Sequence, residues 1–139
     1  MLEVKEYIGS FDNTDFYQLM GKFFAERIYR RELPYLINDQ EKIWYLFFEK
    51  KLLIGFVGIV MNQNSTSFTD FYLLHGYRTN ENREFMASYM LDLYKTERIR
   101  ILTNTDEEMK MWEELGFKRN GQKGSYTTFV YGEVNAHEN

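Results

Sequence analysis

FTDFYLLHGYRTNENREF, residues 68–85, changes character twice within eighteen positions. Phe68 to Leu74 is an aromatic and aliphatic run broken by a single carboxylate, Asp70, and its composition predicts a buried strand. His75 to Arg78 leave that pattern, and Thr79-Asn80-Glu81-Asn82 reads as a polar bend. Beyond it Phe85, Met86, Tyr89, Met90, Leu93 and Tyr94 recur at helical spacing. A strand that feeds a bend and then a helix start presents free backbone N–H groups and the positive end of a helix dipole. Such a terminus binds phosphate or diphosphate without needing any particular side chain. Arg78 and Arg83 flank the bend and can add charge-assisted bonds to an anion. The same residues also suit an ordinary strand-to-helix connection with solvated arginines.

Upstream, Lys42 to Phe48 (KIWYLFF) and Leu52 to Met61 (LLIGFVGIVM) are joined by Glu49-Lys50-Lys51. Two apolar runs around three charged residues predict an antiparallel hairpin buried on both faces, which requires helices on both sides of the sheet. Asn62 to Ser67 (NQNSTS) is a polar turn into the Phe68–Leu74 strand, and Leu2 to Ile8 reads as a short opening strand. Between them, Phe16, Leu19, Met20, Phe23, Phe24 and Ile28 form one face of a helix over 16–33, capped by Asn13 or Thr14 and stopped by Pro34. Lys22, Glu26, Arg30 and Arg31 lie on its other face, and Arg27, Arg30 and Arg31 complement the dipole at its end.

Downstream, Arg98 to Leu102 is a short alternating strand. Thr105-Asp106-Glu107-Glu108 matches a capping box, in which Thr105 and Glu108 are expected to satisfy each other's amides. The helix that follows runs through Trp112 and Leu115 to Gly116, placed for the left-handed position after the helix. Lys118 to Glu133 holds two strand candidates, the better one Thr127 to Tyr131. The element order is β-α-β-β-β-α-β-α-β-β. It predicts an α/β (α+β) fold: a mixed, mostly antiparallel central sheet of six to seven strands with helices on both faces. No linker, repeat or charge block divides the chain, so residues 1–139 read as one domain.

Composition narrows the chemistry. There is no Cys, so disulfides, thiolate metal sites and a Cys nucleophile are excluded, and only His75 and His137 could serve a metal or a triad. No metal site is expected. The net charge of −4 provides no basic field, and basic residues are not interleaved with aromatics on any strand, so no nucleic acid is expected as a partner. The longest apolar run, Leu52 to Met61, is far short of the ~20 residues of a membrane-spanning helix. The opening MLEVKEYIGS lacks the basic and apolar regions of a signal peptide, and a cytoplasmic location without membrane contact is expected.

Three segments carry a family resemblance. Leu53-Ile54-Gly55-Phe56-Val57-Gly58 is similar to the "ivGfv" third strand of the GNAT superfamily of acetyl-CoA-dependent N-acetyltransferases. Phe71-Tyr72-Leu73-Leu74-His75-Gly76-Tyr77-Arg78 resembles its "LyVhpeyR" fourth strand, and Met111-Trp112-Glu113-Glu114-Leu115-Gly116-Phe117 resembles "lYeklGF". With the element order, the resemblance covers about residues 2–132. It implies transfer of an acetyl group from acetyl-CoA to an amine by direct attack, with the backbone N–H near Leu73 facing the oxyanion. It implies a cofactor site at Leu73, His75, Arg78, Thr79, Asn80, Glu81, Asn82 and Arg83. Glu81 and Arg83 stand where the family loop R/Q-x-x-G-x-G/A has glycine, placing a carboxylate and a bulky cation beside the diphosphate position.

Trp112 falls where many members have a Tyr acid, and an indole N–H donates a hydrogen bond without transferring a proton near neutral pH. Tyr77, Tyr89 and Tyr126 are the substitutes, of which Tyr126 is assigned to the catalytic pair. Its partner is Asp70, the only carboxylate inside the fourth strand and the candidate base for the amine. A second reading keeps the fold without catalysis, as a binding or regulatory module that meets a protein partner through Tyr29, Tyr35 and Tyr126. A third is a homodimer formed by pairing of edge strands.

Overall fold

The structure, a computed structural model, describes residues 2–8, 13–33, 36 and 42–132. Pro34, Tyr35 and His137, named above, lie outside the described residues. The order is β1 (Glu3–Tyr7), α1 (Asn13–Ala25), α2 (Arg27–Glu32), β2 (Ile43–Glu49), β3 (Leu52–Met61), β4 (Thr66–Leu73), α3 (Asn80–Tyr94), β5 (Ile99–Thr103), α4 (Asp106–Glu114), β6 (Lys118–Lys123) and β7 (Tyr126–Tyr131). The seven strands form one sheet in the order β1-β2-β3-β4-β5-β7-β6, antiparallel throughout except for β4 beside β5.

Helices cover both faces, as burial of β3 on both sides demands. On one face Met86, Ala87 and Met90 of α3 and Met111 and Trp112 of α4 pack against Phe47, Ile54, Phe68 and Ile101. On the other, Phe16, Met20 and Phe23 of α1 pack against Trp44, Phe56 and Tyr72, with aromatic contacts such as Phe23 to Phe56 at 5.1 Å. No helix among the described residues is long and apolar enough to cross a membrane.

The first helical region departs from the expected single helix. It breaks at Glu26, whose backbone is extended (φ −79°, ψ 135°). The charge-rich α2 buries none of its residues, and Ile28, expected on the apolar face, is 65% exposed. Phe23 keeps its contact by packing on Tyr29 at 4.6 Å, and Arg30 Nη1 donates to the Phe24 carbonyl at 3.2 Å. The turn therefore satisfies part of the α1 end that a continuous helix would have satisfied itself.

The end of α4 behaves as its residues predict. Phe117 N–H donates to Trp112 O and Gly116 N–H to Glu113 O, with Gly116 at φ +104°. That is a Schellman motif, and Phe117 lies on Trp112 at a centroid distance of 4.9 Å, the apolar contact that accompanies it.

Candidate active site

The site begins with one surplus residue in β4. Gly58 of β3 pairs with Asp70 and Ile59 with Phe68, so Thr69 has no opposite number, and its hydroxyl proton is shared between the Gly58 carbonyl at 3.1 Å and the Asp70 carboxylate at 2.8 Å. A bulge of this kind increases local twist and bends its strand. At that point β4 leaves β5: the two pair only at Thr66–Ile99, Ser67–Arg100 and Phe68–Ile101. Past them lies a cavity of about 720 Å³, walled by Thr69 to Leu73 on one side and Leu102 to Thr105 on the other. Leu74 N–H bonds Ile54 O at 2.7 Å, so by the alternation of an antiparallel ladder Phe71 and Leu73 turn their N–H and C=O groups away from β3, into the opening.

The N-terminus of α3 stands beside this opening. Thr79 caps it, its hydroxyl accepting from Asn82 N–H at 3.1 Å, and Asn82 Nδ2 reaches back to Tyr77 O at 2.9 Å. Asn80 and Glu81, the first two helical residues, have amides without a partner inside the helix. Glu81 lines a separate shallow groove with Glu84, Phe85, Ser88, Tyr89 and Asp92, whereas Arg83 lines the cavity and its Nη1 is 3.3 Å from Asn80 Oδ1.

Arg78 also lines the cavity, held from three sides. Its Nε donates to Leu73 O at 2.6 Å, its Nη2 to Glu32 at 3.1 Å, and its guanidinium lies 5.2 Å from the Tyr72 ring centroid. Glu32 further accepts from Tyr72 Oη and pairs with His75 Nε2, both at 2.8 Å. Burial alone would raise the Glu32 carboxyl, but the bonds from Tyr72 and Arg78 outweigh it and hold the group below its ordinary value. Tyr72 is pushed up by burial and by that same carboxylate. Glu32 thus fastens the otherwise unburied α2 to the end of β4, a role with no local signal, because residues 32 and 72–78 meet only through the fold.

Of the two residues assigned to catalysis, both line the cavity. Asp70 sits in an ion pair with Lys42 at 2.6 Å, the two side chains 7% and 4% exposed, with Lys42 Nζ 4.7 Å above the Trp44 ring and Thr69 Oγ1 donating to the carboxylate at 2.8 Å. Tyr126 is half-buried on β7. Tyr77 and Tyr89 instead pack against the core, and Trp112, fully buried against Phe71 at 5.2 Å, does not line the cavity. Its Nε1 has no hydrogen-bond partner among the described residues. Of the cofactor residues implied by the resemblance, Leu73, Arg78 and Arg83 line the cavity, Thr79 and Asn82 build the turn, and His75 faces Glu32.

One residue was legible only for a different role. The expected capping box at α4 is half made. Thr105 Oγ1 accepts from Glu108 N–H at 3.4 Å, but the Glu108 carboxylate turns to Thr103 Oγ1 at 3.0 Å and lines the cavity. Burial pushes this carboxyl above its ordinary value, against the pull of Thr103, Arg83 and Arg78. Among the described residues no group of three or more His, Asp or Glu is arranged to hold a metal.

Comparison with known proteins places this geometry. No family model matches the chain, and no curated protein matches it in sequence. Solved structures do match in fold. Escherichia coli ElaA is similar at a TM-score of 0.74 and 11% identity, covering 94% of this chain and 99% of that one. A GNAT family acetyltransferase from Bacillus cereus matches at 0.66 and 18% identity, over 97% and 99% of the two chains. A GNAT family acetyltransferase from Elizabethkingia anophelis, solved with acetyl-CoA bound, matches at 0.62 and 9% identity, over 94% and 97%. The chain has the GNAT acetyltransferase fold.

Proposed function

We propose that the chain is a GNAT-type N-acyltransferase that moves an acetyl group from acetyl-CoA to an amine by direct attack. The observation that carries this reading is the opening at the Thr69 bulge, because it leaves the end of β4 without a strand partner along one wall of the cavity. The turned-out amides of Phe71 and Leu73 suit a thioester carbonyl and the oxyanion that develops on it. The N-terminal amides of α3, with Arg83, suit a diphosphate. A volume of about 720 Å³ is in the range of small-molecule sites.

The residues present fit the cofactor, since Leu73, Arg78 and Arg83 line the cavity whereas Glu81 lines the other groove and puts no carboxylate into it. Acetyl-CoA would supply an activated acyl group. Leu73 and Arg83 would hold it, and Arg78, tied to Leu73 O and Glu32, would keep the end of β4 in its splayed form. Asp70 and Tyr126 lie on the cavity wall available to the acceptor. The reading of a binding module has less support: Tyr29 packs on Phe23 and Tyr126 lines the cavity, so neither offers a free aromatic surface. Isothermal titration with acetyl-CoA tests the proposal. Saturable heat is expected for the natural chain, weakened about tenfold or more in Arg83→Ala; no heat and no thermal shift at millimolar acetyl-CoA overturn it.

A further inference from the structure

Four carboxyl groups among the described residues line the cavity, and they differ in what holds them. Glu32 has three partners in Tyr72, His75 and Arg78. Asp70 is paired at 2.6 Å with a lysine as buried as itself. Glu107 is exposed. Glu108 alone combines an inward position with a single direct partner, the Thr103 hydroxyl at 3.0 Å, which fixes its direction and leaves lone pairs free.

Its level along the strands matters as well. Continuing the parallel register from Phe68–Ile101 sets Thr103 opposite Asp70 and Phe71 across the opening. The Glu108 carboxylate, bonded to Thr103, therefore stands at about the level of Phe71, whose amide faces the cavity. We propose that Glu108 is the group that takes the proton from the attacking amine. This rests on the acyltransferase reading and deepens it, placing the base on α4 rather than on a strand.

The acceptor arrives as an ammonium ion and gives one N–H proton to the Glu108 carboxylate. The nitrogen lone pair forms the C–N bond at the thioester carbonyl, and the C=O π pair moves to oxygen. When that pair returns, the C–S bond breaks and CoA leaves as thiolate, which takes the second proton from nitrogen. Glu108 then loses its proton to solvent, so the products are amide, CoA thiol and one proton.

The groups facing Glu108 agree with this role. Arg83 of α3 and Arg78 of the preceding turn favour the carboxylate, while Glu107 of α4 and burial favour the acid. Asp70 of β4, Lys123 of β6 and Tyr126 of β7 complete the wall. A carboxyl raised towards the working pH is a better proton acceptor than one at its ordinary value.

The test compares the natural chain with Glu108→Gln, using acetyl-CoA with two kinds of nucleophile. A panel of a polyamine, an amino sugar and a lysyl peptide is protonated at pH 7, whereas hydroxylamine is already neutral. Glu108→Gln is expected to bind CoA within threefold of the natural chain. Its transfer to the ammonium acceptors should fall about 100-fold and lose the acidic limb of the pH profile, while transfer to hydroxylamine stays within threefold. Glu108→Ala, rescued by formate, is the second variant. Equal loss with both nucleophiles, an unchanged acidic limb, or CoA binding without transfer to either nucleophile overturns the inference. Failure of the natural chain to bind CoA overturns the acyltransferase reading instead.

Discussion

Lys42→Met is the perturbation on which the structure makes its largest quantitative claim. The substitution keeps an unbranched side chain, one atom shorter, but removes the ammonium and leaves the Asp70 side chain, 7% exposed, with the Thr69 hydroxyl at 2.8 Å. Breaking a buried pair by removing one partner costs about 3–5 kcal/mol, because the other charge stays desolvated. Loss of the ammonium above Trp44 adds roughly 1 kcal/mol. For 139 residues the unfolding entropy near the midpoint is about 0.3 kcal/mol per kelvin, so the melting temperature should drop by about 13–20 °C. Adding Asp70→Asn to Lys42→Met removes the stranded charge, and the double variant should recover more than half of that loss. Urea denaturation of the natural chain, both single variants and the double variant closes the cycle. A Lys42→Met loss below about 1 kcal/mol, or additive single effects, would refute the assignment of the pair as buried and mutually dependent.

Two further outcomes concern Glu108 and Gly55. Burial raises the Glu108 carboxyl above its ordinary 4.5, so the folded chain binds that proton more tightly than the unfolded one. Its contribution favours folding below about pH 4.5 and is lost as the pH rises through the folded value; Glu108→Gln should therefore melt higher than the natural chain at pH 7, an advantage that vanishes by about pH 4 in a thermal scan. Gly55→Ala would set a methyl carbon 2.7 Å from the Tyr72 carbonyl and 3.0 Å from Met86 Sδ. Because the nearest atom is backbone, the strands must part, and urea midpoints should report a loss of about 1–3 kcal/mol.

What the sequence disclosed is local chemistry. Thr105 precedes a helical run and does cap it, whereas the polar bend read at 79–82 is the cap and first turn of α3; Leu115-Gly116-Phe117 spells a helix end because only the left-handed residue allows the Phe117 and Gly116 amides to reach back. The third strand is apolar on both sides and is covered on both sides. What stayed hidden depends on partners distant in the chain. Nothing around Glu32 announces a bond to Tyr72, nor does Lys42 announce Asp70, since each pair is joined by the sheet. Glu108 fitted a capping box so well that its diversion to Thr103 had no local signal. Glu81 and Arg83 lie two positions apart in the first turns of a helix, so they project in different directions, and only Arg83 lines the cavity.

The three rungs that join β4 to β5 have a mechanical meaning. A meander of β1 to β4 and a trio of β5, β7 and β6 share no other strand pairing, so the sheet is two plates riveted along one short seam. Any molecule wedged into the gap beyond the rivets touches both plates at once. Its binding energy then adds to the cohesion between them as RT ln(1 + [L]/Kd), and amide exchange at Phe68 and Arg100, whose N–H groups cross the seam, is where that clamping would be felt first.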